Sequence, residues 1–204
     1  MQENEPVADQ EFESQSFDRR QLSEQIFTSC QFTNCTFKST ILEEATLERS
    51  VFTDCNMTDI RLSGGTVKSC TFIRCDLTNA RLSGAILSNC RMIECRLRGA
   101  QVSSAQISGA DFSFCDLSNQ DLDGARLKGT RFTSADLGQT SLNGADLRDT
   151  IFDKAHLGGA TMKKADLRGS SFDGVDLRSV DLKGAVIDMG IAIHFARSHG
   201  LKVE

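Results

Sequence analysis

The chain carries an apolar residue at every fifth position. From Phe12 to Ile187 this register holds Phe, Leu, Met, Val or Ile in 36 consecutive repeats without a slip. Two positions before each centre the residue is small in most repeats: Ala thirteen times, Cys eight, Thr four, Ser and Val twice each and Gly once. Two side chains in five are therefore marked for an interior and three for solvent. Neither an α-helix nor an ordinary strand accommodates this period. Five is not a multiple of 2, and on a 3.6-residue helix successive centres fall about 140° apart. The pattern predicts a solenoid, in which each repeat forms one side of a coil.

Side-chain size along the centres sets the number of sides. Phe12, Phe32, Phe52, Phe72, Met92, Phe112, Phe132, Phe152 and Phe172 recur at 20 residues, while the column that begins at Leu22 is almost entirely Leu. Four repeats thus close one coil, and 36 repeats predict nine coils. Stacked at ~4.8 Å, the spacing of hydrogen-bonded strands, they form a rod roughly 43 Å long. Open solenoid ends expose unpaired backbone, so atypical caps are expected. Residues 1–11 are polar and hold the only proline, Pro6; residues 12–187 form the all-β solenoid; residues 188–204 leave the register. In that tail Asp188 is placed to N-cap, Ile191 and Phe195 fall on one face, and Gly200 supplies a stop, which predicts a short α-helix. Ile187, Ile191, Phe195 and Leu201 are the candidate residues for capping the last coil and pairing with a second copy about a two-fold axis.

Charge and cysteine content narrow the picture. The net charge is −5, but residues 1–60 hold 12 acidic and 4 basic residues, whereas residues 61–98 hold 2 and 7. No signal-peptide run and no membrane-length apolar stretch occurs, so a cytoplasmic location without membrane contact is expected. All eight cysteines occupy the small inward position. Parallel thiols in a column do not converge as four zinc ligands must, so packed, reduced thiols are expected, with no metal. Catalysis has little to work with. His156 lies one coil from Asp136 and one from Asp176, a carboxylate–imidazole–carboxylate stack on a convex wall, with no accessible nucleophile. Gly64-Gly65 and Gly158-Gly159 lack the Lys-Ser/Thr of a phosphate loop. No enzyme activity and no cofactor is expected.

Segments such as Ala145-Asp146-Leu147-Arg148, Ala165-Asp166-Leu167-Arg168-Gly169 and Ala135-Asp136-Leu137 resemble the A(D/N)LXX pentapeptide-repeat proteins over about residues 10–189. The resemblance implies a right-handed quadrilateral β-helix. A capped rod that ends in a helix and a Gly200-Leu201-Lys202-Val203 tail resembles the Qnr-type, topoisomerase-protecting branch of that family. It implies a DNA-like rod that binds DNA gyrase or topoisomerase IV, without itself binding nucleic acid, and modulates quinolone or toxin sensitivity. The two loops that interrupt many Qnr-type rods have no counterpart here. The partner-binding candidates are the outward carboxylates Asp76, Asp116, Asp136 and Asp176 in one column, with Asp121, Asp146, Asp166 and Asp181 on adjacent faces. The alternative is a scaffold that docks another protein through its basic belt (Arg61, Lys68, Arg74, Arg81, Arg91, Arg96 and Arg98), its outward isoleucines such as Ile73 and Ile93, and Phe114.

Overall fold

The computed structural model describes residues 5–102 and 104–204, so residues 1–4 of the expected cap lie outside it. The strands are β1 (Val7–Ala8), β2 (Glu11–Glu13), β3 (Ile26–Thr28), β4 (Gln31–Thr33), β5 (Thr46–Glu48), β6 (Val51–Thr53), β7 (Thr66–Lys68), β8 (Thr71–Ile73), β9 (Ile86–Ser88), β10 (Arg91–Ile93) and β11 (Gln106–Ser108). Even-numbered strands form one parallel sheet and odd-numbered strands another. Every pairing joins residues 20 apart, as in Phe12 with Phe32, Phe32 with Phe52, and Val7 with Phe27. The chain is thus a four-sided β-solenoid. We number its walls by their centres: the first holds Phe12, the second Phe17, the third Leu22 and the fourth Phe27. The ladder already begins at Val7, within the segment read as a polar cap.

The expectation of nine uniform coils needs correction. Only about five turns carry strands, all on the first and fourth walls. The second and third walls, and all four walls beyond Ser108, pair through single bridges such as Asp116 with Asp136 and Thr161 with Asp181. The corner residue tells the two kinds of wall apart. At a bridge corner the inward small residue donates its N–H to the carbonyl three residues back, as Ala45 does to Leu42 (3.1 Å) and Ala135 to Phe132 (3.1 Å). At a strand corner no such bond closes, and the residue is usually Cys. Its thiol instead reaches two carbonyls, as Cys75 does to Phe52 (3.4 Å) and Ile73 (3.5 Å). All eight cysteines are buried and unpaired. Burial pushes the Cys70 thiol up to about 12, far from the reactive thiolate.

One core runs the length of the rod and holds the centres from Phe17 to Leu177, apart from Leu22 and Val102, which are half-buried against it. In the first wall the rings of Phe32, Phe52 and Phe72 stack at 4.7 and 4.8 Å. Beyond Met92 the stack resumes more loosely, with Phe112, Phe132 and Phe152 spaced at 5.5 Å. Between these halves the third wall opens. Among the described residues Gln101 pairs with Arg81 and Asp121 with Ser141 but the two form no bridge with each other, and the N–H groups of Val102 and Asp121 find no backbone partner. A cleft of about 530 Å³ lies at this point, lined by Val102, Leu122 and Ala125 among others. Gln120 explains part of it. Where other repeats place Ala or Thr inward, its long side chain is buried and donates to the Leu97 carbonyl at 2.6 Å. Thr140 serves the equivalent carbonyl of Leu117 with a much smaller group.

Helix α1 (Met189–Ser198) closes the far end, with the Asp188 carboxylate accepting from the Ile191 N–H at 3.1 Å. Ile191 is buried, but Phe195 remains 37% exposed and Ile187 and Leu201 are open too. The capping contact missed in the sequence is His194, whose Nε2 lies 3.1 Å from the Val175 carbonyl. No helix among the described residues is long and apolar enough to cross a membrane.

Candidate functional site

The repeat itself places the candidate carboxylates. An Asp just before a centre points outward, and its Oδ1 accepts the N–H two residues on, which stabilises the corner. Asp76 accepts from Thr78 (3.0 Å), Asp116 from Ser118 (3.0 Å), Asp136 from Gly138 (2.9 Å) and Asp121 from Asp123 (3.1 Å). These bonds make Asp a turn residue in its own right. The structure distributes the eight candidates over three walls. Asp76, Asp116, Asp136 and Asp176 share the second wall, Asp121 and Asp181 the third, and Asp146 and Asp166 the fourth.

Most of this charge is compensated within the chain. Arg148 curls back on Asp146 with two guanidinium bonds of 2.7 and 2.6 Å. Arg168 does the same to Asp166 (2.9 and 2.6 Å), and Arg178 to Asp176 (2.9 and 2.7 Å). These guanidinium bonds hold the Asp166 and Asp176 carboxyls at about 2, well below the usual range. Asp181 meets Lys163 at 3.2 Å, Asp76 meets Arg96 at 3.7 Å, and Asp116 meets Arg98 at 3.8 Å. Of the eight, only Asp121 lacks an ion partner among the described residues. The expected histidine stack is half formed. His156 Nδ1 lies 2.9 Å from Asp136, but the ladder is interrupted between His156 and Asp176, and Asp176 turns to Arg178 instead. Partial burial raises the Asp136 carboxyl, but bonds from His156 and the Gly138 N–H outweigh it and hold the group low.

The uncompensated carboxylates lie elsewhere. Glu11, Glu13, Glu24, Glu43 and Glu44 crowd the first two turns with no ion partner among the described residues. The lopsided charge of residues 1–60 was the signal that pointed to them. In the basic belt Arg74 is held by Asp54 through two bonds of 2.7 Å, whereas Arg61, Lys68, Arg81 and Arg91 have no ion partner among the described residues. The belt rings all four walls rather than forming one patch. Phe114 is 58% exposed at a corner of the first wall, one position beyond the column of the half-buried Ile73 and Ile93. No group of three or more His, Cys, Asp or Glu side chains among the described residues is arranged to hold a metal ion.

Comparison with known proteins places this geometry in a family. A model of the pentapeptide repeat region matches residues 65–137, and a model of eight-copy pentapeptide repeats matches residues 150–187. The SV2A/B/C luminal domain model matches residues 3–97. No curated protein matches the chain. Among solved structures, a trypsin-treated variant of QnrB1, a plasmid-mediated fluoroquinolone resistance protein, superposes with a TM-score of 0.84 at 23% identity. That match covers 98% of this chain and 100% of that one. A second trypsin-treated QnrB1 variant gives a TM-score of 0.68 at 23% identity, with the same coverage. At such identities the likeness is one of fold. With repeat models matching residues 65–137 and 150–187 and a 20-residue ladder beneath them, the chain belongs to the pentapeptide-repeat family.

Proposed function

We propose that the chain is a non-enzymatic, cytoplasmic binding rod that engages a type II topoisomerase, DNA gyrase or topoisomerase IV, as a DNA-like competitor and alters its sensitivity to quinolones or toxins. The observation that carries this reading is the end-to-end correspondence with the QnrB1 rod, over 98% of the chain. Physically, a narrow rod with carboxylates repeating at coil spacing suits a basic saddle built for phosphates. Because Arg148, Arg168 and Arg178 neutralise the far carboxylates, the acidic first turns carry more of the attraction than the Asp column does. The exposed Ile187, Phe195 and Leu201 are the surface we assign to end-to-end pairing of two copies. The test is a gyrase supercoiling assay with the protein titrated in, with and without a fluoroquinolone. Restored supercoiling in the drug's presence supports protection, and inhibition without the drug supports competition alone. No effect in either condition sinks the reading.

A second reading rests on a separate observation. Val51, Ile73, Ile93 and the exposed Phe114 occupy consecutive turns of the first wall, beside the unpaired Arg91. This strip suits a scaffold that docks another protein. Reversing Arg61, Lys68, Arg81 and Arg91 separates the two: lost partner binding supports the scaffold, and tighter gyrase binding supports the DNA-like rod.

A further inference from the structure

Charge is handled differently on the third wall. Of the eleven ion pairs among the described residues, ten lie on the other three walls, and only Lys163–Asp181 lies on this one. Apart from Asp181, which pairs with Lys163, the wall's outward charges run in blocks of one sign: Glu24, Glu43 and Glu44, then Arg61 and Arg81, then Asp121 and Asp123, then Lys163, Lys164 and Lys183, mostly exposed. Between the blocks the wall is bare. Gly64, Gly84, Gly124 and Gly144 occupy its corner column, and a Cβ on Gly124 or Gly144 would meet nothing within 4 Å. The turn does not demand glycine there, because Glu24, Glu44 and Lys164 adopt the same left-handed conformation in that column, with φ of 60°, 59° and 58°.

The order of the blocks is self-complementary. A two-fold axis lying across the wall at Gln101 sets two copies face to face and antiparallel, and keeps each residue in its own column. It brings Arg81 opposite Asp121, Glu43 opposite Lys163 and Glu44 opposite Lys164, each twice. It also sets Gly64 against Gly144 and Gly84 against Gly124, which lets the two backbones approach closely. No like charges meet among the described residues, since Arg61 faces Ser141 and Asp181 faces Gln21. We propose that the third wall is a self-recognition surface through which two copies of this chain pair side by side and antiparallel. The inference is independent of the topoisomerase reading, and it leaves the second wall and the C-terminal end free.

Sedimentation velocity on the full chain tests it. The expected result is lateral association at low ionic strength, additional to any end-to-end pairing, that is lost towards 1 M salt, where screening shortens to about 3 Å. Glu43→Lys with Glu44→Lys, and separately Lys163→Glu with Lys164→Glu, each juxtapose like charges and weaken pairing on the order of a hundredfold. Mixing the two variants makes every altered facing pair opposite in sign, so the mixture regains the salt-sensitive lateral association that neither variant shows alone. A Gln101→Cys variant treated with the thiol oxidant diamide gives a disulfide-linked dimer on a non-reducing gel, because that residue faces its own copy. All five positions are exposed, so folding is retained. A monomeric wild type at low salt overturns the proposal, as does a mixture that fails to associate. Association abolished by Phe195→Asp but untouched by the charge reversals assigns pairing to the helix end and overturns it too.

Discussion

The two halves of the rod solve the same folding problem with different chemistry. Up to Ile107 the first and fourth walls are strands, their corners held mostly by thiols and the first wall's centres by tightly stacked phenylalanines. After Phe112 every wall bends through turns with an i to i+3 bond, the corners are mostly Ala or Thr, and Phe spacing relaxes from 4.7–4.8 Å to 5.0–5.5 Å. β-Branched outward residues such as Val51, Thr71 and Ile73 favour the extended form. Outward Asp favours the turn, because its carboxylate bonds the backbone locally. The same substitution also moves charge: the first half leaves most of its glutamates open, Glu48 with Arg49 aside, and the second folds arginines back onto its aspartates.

The largest expected effect tests the stacked half. Phe52→Ala removes a ring packed between Phe32 and Phe72 and is expected to cost ~3–5 kcal/mol in chemical denaturation, with Phe132→Ala at the lower end of that range. A larger loss at Phe132 would reverse the comparison. Cys75→Ala is expected to cost about 1–2 kcal/mol, through lost packing and the weak thiol bonds. Cys115→Ala should cost less, because Cys115 already sits at a bridge corner, its N–H bonded to Phe112 at 3.2 Å. Equal losses would show that the thiol contacts do not distinguish the corners. Gln120→Thr keeps a donor for the Leu97 carbonyl while shedding bulk. It is expected to stabilise the rod by about 1 kcal/mol and to slow amide exchange at Val102 and Asp121.

The smallest effect is local and electrostatic. With Arg168 in place, an NMR titration is expected to find Asp166 at about 2; Arg168→Ala should return it to the ordinary range of about 3.9 with little change in melting temperature. The sign follows from the depressed value. The pairing favours the folded state above the ordinary carboxylate range and is lost as pH falls towards 2. An unchanged midpoint in the variant would place the cause in the turn bond alone.

Much of the architecture was legible because side-chain size repeats at 20 residues, which fixes both the number of walls and the register. The strand count was not. Cys, Ala and Thr all read as small and inward, and only the backbone bond at the corner separates Cys75 from Ala135. The candidate carboxylates were misjudged for a related reason. Columns drew attention to neighbours 20 residues away, whereas Arg148 and Arg178 return to an Asp two residues behind. His156 and Asp176 failed to meet because the ladder breaks between them, an irregularity that the repeat pattern conceals. At the C-terminus the Asp188 cap was readable from its position, but the docking of His194 required the helix axis.

The 20-residue register bears on how such a rod is made. Every inter-coil bond joins segments a single turn apart, so no contact waits for a distant part of the chain to be synthesised. Each new turn can be laid on the one before it as it leaves the ribosome, with the acidic first turns as the template. The helix at the far end then terminates growth, which gives the molecule a direction of assembly as well as a shape.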